Sequence, residues 1–85
     1  MTVKGAAAQL ADLASAVEGL RAGISLSDKV QATQSYLATG DTTDACSTLN
    51  AFIHEVKAQT GKAITSTEAS QLITDAERIQ AVIGC

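Results

Sequence analysis

The stretch ACSTLNAFIHEVKAQTGK, Ala45 to Lys62, decides how the rest of the chain is read. Taken as a helix it sets Ala45, Leu49, Phe52, Ile53 and Val56 on one face, at steps of four, three, one and three residues. It also holds the only Phe, the only His and one of the two cysteines. Gly61 then ends it. The same pattern, an apolar stripe closed by a glycine, recurs on both sides.

Proline is absent, so glycine punctuates the chain. Gly23, Gly40, Gly61 and Gly84 each follow a helical apolar pattern, where a left-handed C′ residue belongs. A start signal follows three of them. Ser27 precedes Asp28, Asp41 precedes Thr42-Thr43-Asp44, and Thr65 precedes Ser66-Thr67-Glu68, a Thr-x-x-Glu capping box. The spacing predicts four helices, at about 7–21, 27–39, 42–59 and 66–83.

The first carries Leu10, Leu13, Val17 and Leu20 in one stripe, with Gly19 weakening its last turn by about 0.5–1 kcal/mol. The second has the poorest stripe: Val30, Tyr36 and Leu37, helped by Ala32, Ala38 and the preceding Ile24 and Leu26. The fourth repeats Ala69, Leu72, Ile73, Ala76, Ile79 and Ile83, and Ile64 stands where it can staple onto its first turns. Short connections make sequential helices pack antiparallel, so the expected fold is all-α, a compact four-helix bundle. Residues 1–85 form one domain, and 1–6 are expected to fray, since Gly5 and a lone Val3 offer little to hold them.

A domain of 85 residues buries only about 60–68% of the surface its unfolded chain exposes. Apolar residues reach 46%, but many are alanines, and Tyr36 and Phe52 are the only aromatics. Such a core rarely supplies more than about 3–5 kcal/mol net. The net charge is −3, and the six Lys and Arg are spread from Lys4 to Arg78 rather than gathered into the basic face that nucleic acid requires. No apolar run approaches the roughly 18–20 residues that span a bilayer. Met1-Thr-Val-Lys-Gly5 has no apolar h-region, so an exported protein would carry its signal on a parent chain.

Cys46 falls in the first turns of the third helix and Cys85 just past the fourth. In an antiparallel hairpin both lie toward one end, at about 20 Å and 28 Å from the turn, given about 1.5 Å per residue. The excess of about 8 Å must be absorbed by helix crossing or by the chain doubling back at Gly84. A bond here closes a loop of about 40 residues and stabilises the fold by about 4 kcal/mol on the chain-entropy account. A disulfide is the leading reading and implies an oxidising compartment. A buried free cysteine beside a terminal one is the first alternative, and a metal site the second. His54, two helical turns from Cys46 and about 12 Å away, is too far to share one ion with it.

No other pattern specifies chemistry. His54 sits at the edge of the buried stripe and reads as a solvated or hydrogen-bonded histidine. Serines abound, but no spacing selects one as a nucleophile with a base and an orienter. Asp41 and Asp44 suit a helix start, and the ligand series of a calcium loop is missing. Gly61-Lys62 lacks the first glycine and preceding strand of a phosphate loop. The expectation is a protein with no catalytic, cofactor-binding or metal residues. Asn50, Lys57, Gln59 and Lys62, around the end of the third helix, are the one polar group read as a candidate contact surface, against a plain solvated face whose lysines favour the helix C-terminus.

The order Gly40-Asp41, Ala45-Cys46, Leu49-Asn50-Ala51-Phe52-Ile53, Val56-Lys57-Ala58-Gln59, Gly61-Lys62, Thr65 and Ala69…Leu72-Ile73…Ala76…Ile79 resembles the FIMAH domain family. The likeness spans about residues 10–85, and the Phe-Ile helix followed by Ala-Gln-x-Gly-Lys is its most specific part. These are small helical modules near the C-termini of secreted bacterial multidomain proteins, extracellular enzymes included. The resemblance implies export, accessory status and a Cys46–Cys85 bond, and it carries over no catalytic residue.

The leading expectation is therefore a non-catalytic accessory module of an exported bacterial protein. It would bind a protein or cell-surface ligand or stabilise a neighbouring domain of its parent chain, with no nucleic acid and no membrane insertion. Its binding surface is expected as an apolar or mixed patch on the first two helices, whose stripes are least filled. A monomer is favoured. The alternative is a structural, self-associating unit that completes its core with a second copy, for instance by swapping the first helix.

Overall fold

Asp41 and Thr65 start helices because their side chains take up backbone N–H groups that have no partner inside the helix. Asp41 Oδ1 accepts from the Asp44 N–H at 3.1 Å. Thr65 Oγ1 accepts from Glu68 N–H at 3.1 Å while Glu68 Oε1 accepts from Thr65 N–H at 3.1 Å, completing the capping box. The computed structural model describes residues 5–20 and 23–85, and the side chains of all of these but 23 and 24. Among them are four helices and no strand: α1 (Ala6–Val17), α2 (Gly23–Ala38), α3 (Thr42–Gln59) and α4 (Ser66–Ile83).

The third and fourth helices match their predicted limits; the first two do not. α1 stops at Val17, and residues 18–20 form a turn with Leu20 N–H on the Val17 carbonyl at 3.1 Å. The predicted extension to 21 runs through Gly19, which loses more backbone entropy in a helix than any other residue; position 21 itself lies outside the described residues. Nor does the expected fraying reach Ala6, which opens α1 on a Gly5 that offers no side-chain cap. Residues 1–4 are outside the described set.

α2 begins at Gly23, so this glycine opens a helix instead of closing one, and Ser27 lies inside it. The earlier start places Leu26, Val30, Thr33 and Leu37 at steps of four, three and four, and the first three are fully buried. Tyr36, expected in the stripe, lies about a quarter turn away and is 36% exposed. Thr33 takes the inner position instead. Its hydroxyl donates to the Lys29 carbonyl one turn back at 2.8 Å, so burial leaves no orphaned polar group.

The helices form a ring in which each packs on its chain neighbours and α1 closes on α4; the diagonal pairs do not meet among the described residues. All neighbours are antiparallel. The first turns of α1, Ala6, Ala7 and Leu10, lie beside Gln34, Leu37 and Ala38 at the end of α2. Ser25 and Lys29 near the start of α2 reach Glu55 near the end of α3. Cys46 and Cys85 join the start of α3 to the end of α4. Gln9 and Asp12 of α1 face Ala81 and Val82 of α4 across a groove.

One core runs through the ring. Leu10, Leu13, Val17, Leu26, Val30, Leu49, Phe52, Ile53, Val56, Ile64, Ala69, Leu72, Ala76 and Ile79 are buried in a single cluster. Fully burying a Leu, Ile, Val or Phe removes enough apolar surface to stabilise by roughly 1.5–3 kcal/mol each. Ile64 is buried with Ala69, as a staple before α4 requires. Between α2 and α3, Gly40 takes φ +78°. Asp41 N–H then reaches the Tyr36 carbonyl at 2.8 Å and Gly40 N–H the Leu37 carbonyl at 3.1 Å, a Schellman closure. Asp41 thus ends one helix and caps the next.

Candidate functional site

Ser25, Lys29 and Glu55 cross-link two helices through a charged pair and a shared hydroxyl. Ser25 and Lys29 stand one turn apart on α2, and Glu55 meets them from the flank of α3 next to its buried stripe. Lys29 Nζ lies 2.6 Å from Glu55 Oε1, and Ser25 Oγ donates to the same oxygen at 2.9 Å. Lys29 Nζ also reaches Ser25 Oγ at 3.3 Å. Partial burial pushes the Glu55 carboxyl up, but the Lys29 and Ser25 hydrogen bonds and the Lys29 charge outweigh it and hold it below its ordinary value.

A hydroxyl, an amine and a carboxylate in contact invite comparison with a nucleophile, base and orienter. The chemistry runs the other way. An ammonium donating to a carboxylate has no lone pair to take the Ser25 proton, and a carboxylate held below its usual range is a poorer base. This cluster is an inter-helix strap. The one-turn Ser25–Lys29 spacing is legible in the sequence, but their meeting with Glu55, 26 residues from Lys29, is set only by the packing of α2 on α3.

The candidate contact residues are spread around α3. Asn50 is exposed and its Oδ1 accepts from Gln80 Nε2 of α4 at 2.8 Å. Lys57, two turns on, follows the same flank. Gln59 is nine residues from Asn50, which at about 100° per residue is the opposite, α2-facing flank. Lys62 lies in the exposed turn, where its N–H donates to the Gln59 carbonyl at 2.9 Å. The structure therefore joins Asn50 to α4 but sets Gln59 and Lys62 apart from it.

Asp41 and Asp44 pair at the start of α3. Hydrogen bonding to the Asp41 carboxylate, then its repulsion, hold the Asp44 carboxyl above its ordinary value. His54 is exposed on the outer side of α3. Cys46 is taken up in the disulfide, and among the described residues no three His, Cys, Asp or Glu gather as a metal site would need. No helix among them is long and apolar enough to cross a membrane.

Grooves run along both sides of α1. One, of about 440 Å³, is lined by Gln9 and Asp12 of α1 and Asp75, Arg78, Ala81 and Val82 of α4. The other, of about 250 Å³ and mostly apolar, lies between Ala6, Ala7 and Leu10 and the end of α2 at Gln34, Leu37 and Ala38. The second lies on the helix pair where an apolar or mixed patch was expected.

The disulfide marks the same end of the bundle. Its Cα atoms are 5.7 Å apart and 39 residues separate the two cysteines. Gly84 takes φ +85°, and Gly84 and Cys85 N–H both reach the Gln80 carbonyl, at 3.0 and 2.9 Å. Here the chain doubles back over the last turn of α4. No family model matches the chain, and no curated protein or solved structure matches it.

Proposed function

We propose that this chain is a non-catalytic accessory module of an exported bacterial multidomain protein, of the FIMAH kind. It binds a protein or cell-surface ligand, or stabilises a neighbouring domain, through the open side of the α1–α2 pair. The observation that carries the reading is the Cys46–Cys85 bond, since disulfides persist outside the reducing cytosol. The apolar groove between α1 and α2 supports the binding half.

Two measurements test it separately. Alkylation of the unreduced, denatured protein from its native host should find no reactive thiol; two thiols per chain would remove export. A parent protein lacking residues 1–85 should keep its own catalytic rate but lose surface retention or the protease resistance of its neighbour. Loss of turnover with both of those intact would place an active site in this chain and overturn the reading.

A further inference from the structure

The core of α4 and its covalent tie lie in different places. Its buried side chains, Ala69, Leu72, Ala76 and Ile79, all fall at or before Ile79. Beyond it Gln80 and Ile83 are half-buried, while Ala81, Val82, Gly84 and Cys85 are exposed, Val82 at 50%. Apart from the packing of Ile83, two links hold this end to α3: the solvent-exposed Gln80–Asn50 hydrogen bond and the disulfide. A hydrogen bond made where water competes adds little. The same end also supplies Ala81 and Val82 to the α1/α4 groove.

We propose that the Cys46–Cys85 bond, positioned by the Gly84 turn, is a redox-sensitive latch. Reduction frees residues 80–85 and removes the Ala81–Val82 wall of the groove, while the four-helix ring persists. Cys85 is exposed and Cys46 half-buried, so a thiolate reaches the bond from the Cys85 side; exposed disulfides are the labile ones. With a dithiol as reductant, its thiolate attacks the Cys85 sulfur, the S–S bond breaks, and the electron pair leaves on Cys46 Sγ, which takes a proton. The second thiol of the reductant then displaces Cys85 as a thiol. The protein gains two electrons and two protons, and the dithiol becomes a cyclic disulfide. Reduction returns loop-closure entropy to the unfolded chain and lowers the stability of the whole fold, and the ring persists on its own buried cluster, which contains neither cysteine. The inference goes beyond the accessory-module reading and does not depend on it.

Hydrogen exchange read by mass spectrometry tests the latch on the oxidised protein, the protein in excess dithiothreitol, and Cys46→Ser/Cys85→Ser. In both open forms the amides of 80–85 should lose at least tenfold protection and approach random-coil rates. Those of Leu49–Val56 and Leu72–Ile79 should stay protected, and the far-UV helix signal should fall by no more than the last turn. Unchanged protection at 80–85 overturns the proposal. So does loss of helix throughout, which would make the bond a requirement of the whole fold.

Gly84→Ala, which keeps both cysteines, tests the positioning. A left-handed residue with a Cβ costs about 1–2 kcal/mol, so the equilibrium constant for forming the bond against dithiothreitol should fall about five- to thirtyfold. An unchanged constant would mean that the Gly84 turn does not place the sulfur, and the latch as proposed fails.

Discussion

α3 starts on the Asp41 carboxylate and α4 on the Thr65–Glu68 box, whereas α1 starts on Gly5, which has no side chain to offer. α4 ends in a left-handed glycine; α1 ends at Val17 without one, and its last residues unwind through an ordinary turn. The second half of the chain carries its boundaries locally. The first half, α1 above all, is placed by what it buries: Leu10, Leu13 and Val17 on α1, then Leu26, Val30 and Thr33 on α2. Two kinds of instruction build one ring, and only one of them is written at the helix ends.

The comparison breaks if the halves are separately stable, and core truncations test that with the largest effects. Phe52→Ala should cost about 3–5 kcal/mol and Leu10→Ala about 2–5 kcal/mol, since both side chains are fully buried in one cluster. In urea, each variant should show one cooperative transition with a lowered midpoint, by far-UV and near-UV signals alike. Two transitions in Leu10→Ala, the later one at the parent midpoint, would show the α3–α4 half standing without the first.

Caps sharpen the contrast at a smaller scale. Thr65→Ala removes a hydroxyl that accepts a backbone N–H and should cost about 1 kcal/mol. Gly5→Ser, which supplies α1 with the kind of cap that α4 already has, should gain only a few tenths of a kcal/mol, because glycine is itself a tolerable N-cap. Equal and opposite effects in chemical denaturation would mean that α1 depends on its terminus as much as α4 does.

Gly19→Ala probes the other end of α1. A Cβ there meets nothing within 4 Å, and Gly19 is not among the positive-φ glycines. The substitution should stabilise by about 0.4–1 kcal/mol by narrowing the unfolded ensemble. It should also slow hydrogen exchange at residues 18–20 as the helix extends. A loss of stability would show that the turn after Val17 needs glycine for a reason other than entropy.

These differences explain what the sequence made legible. Asp41 and Thr65 act through side chains on backbone within one turn, and Gly40, Gly61 and Gly84 through their own backbone, so their residue types mark the limits of α3 and α4 directly. The stripe Ala45, Leu49, Phe52, Ile53, Val56 is apolar at every buried position and could be read without a partner helix. In α2 the same reading failed at Thr33 and Tyr36. A threonine that donates to its own helix is apolar to its neighbours, while a tyrosine a quarter turn off the stripe is left at the surface. Ser27 and Gly23 looked like punctuation because local preference is weak, and burying Leu26 with Val30 overrides it. The Ser25–Lys29–Glu55 strap was invisible because it exists only once α2 lies on α3.

That strap ties the first half to the second by polar contacts, and it should give the smallest effect. The Glu55 carboxyl is held below its ordinary value of about 4.3, so it contributes stability that is present above that value and lost as pH falls through the lower folded-state value. The two side chains remain 28% and 20% exposed, so solvent screens the pair, and Glu55→Gln should cost under about 1 kcal/mol at pH 7. The gap between parent and variant should hold at neutral pH and close as pH falls below the ordinary carboxylate range, where the parent's carboxyl takes up its proton. High salt should shrink it at neutral pH. A gap that persists undiminished into acid would assign the loss to packing of the Glu55 stem against α2 rather than to its charge.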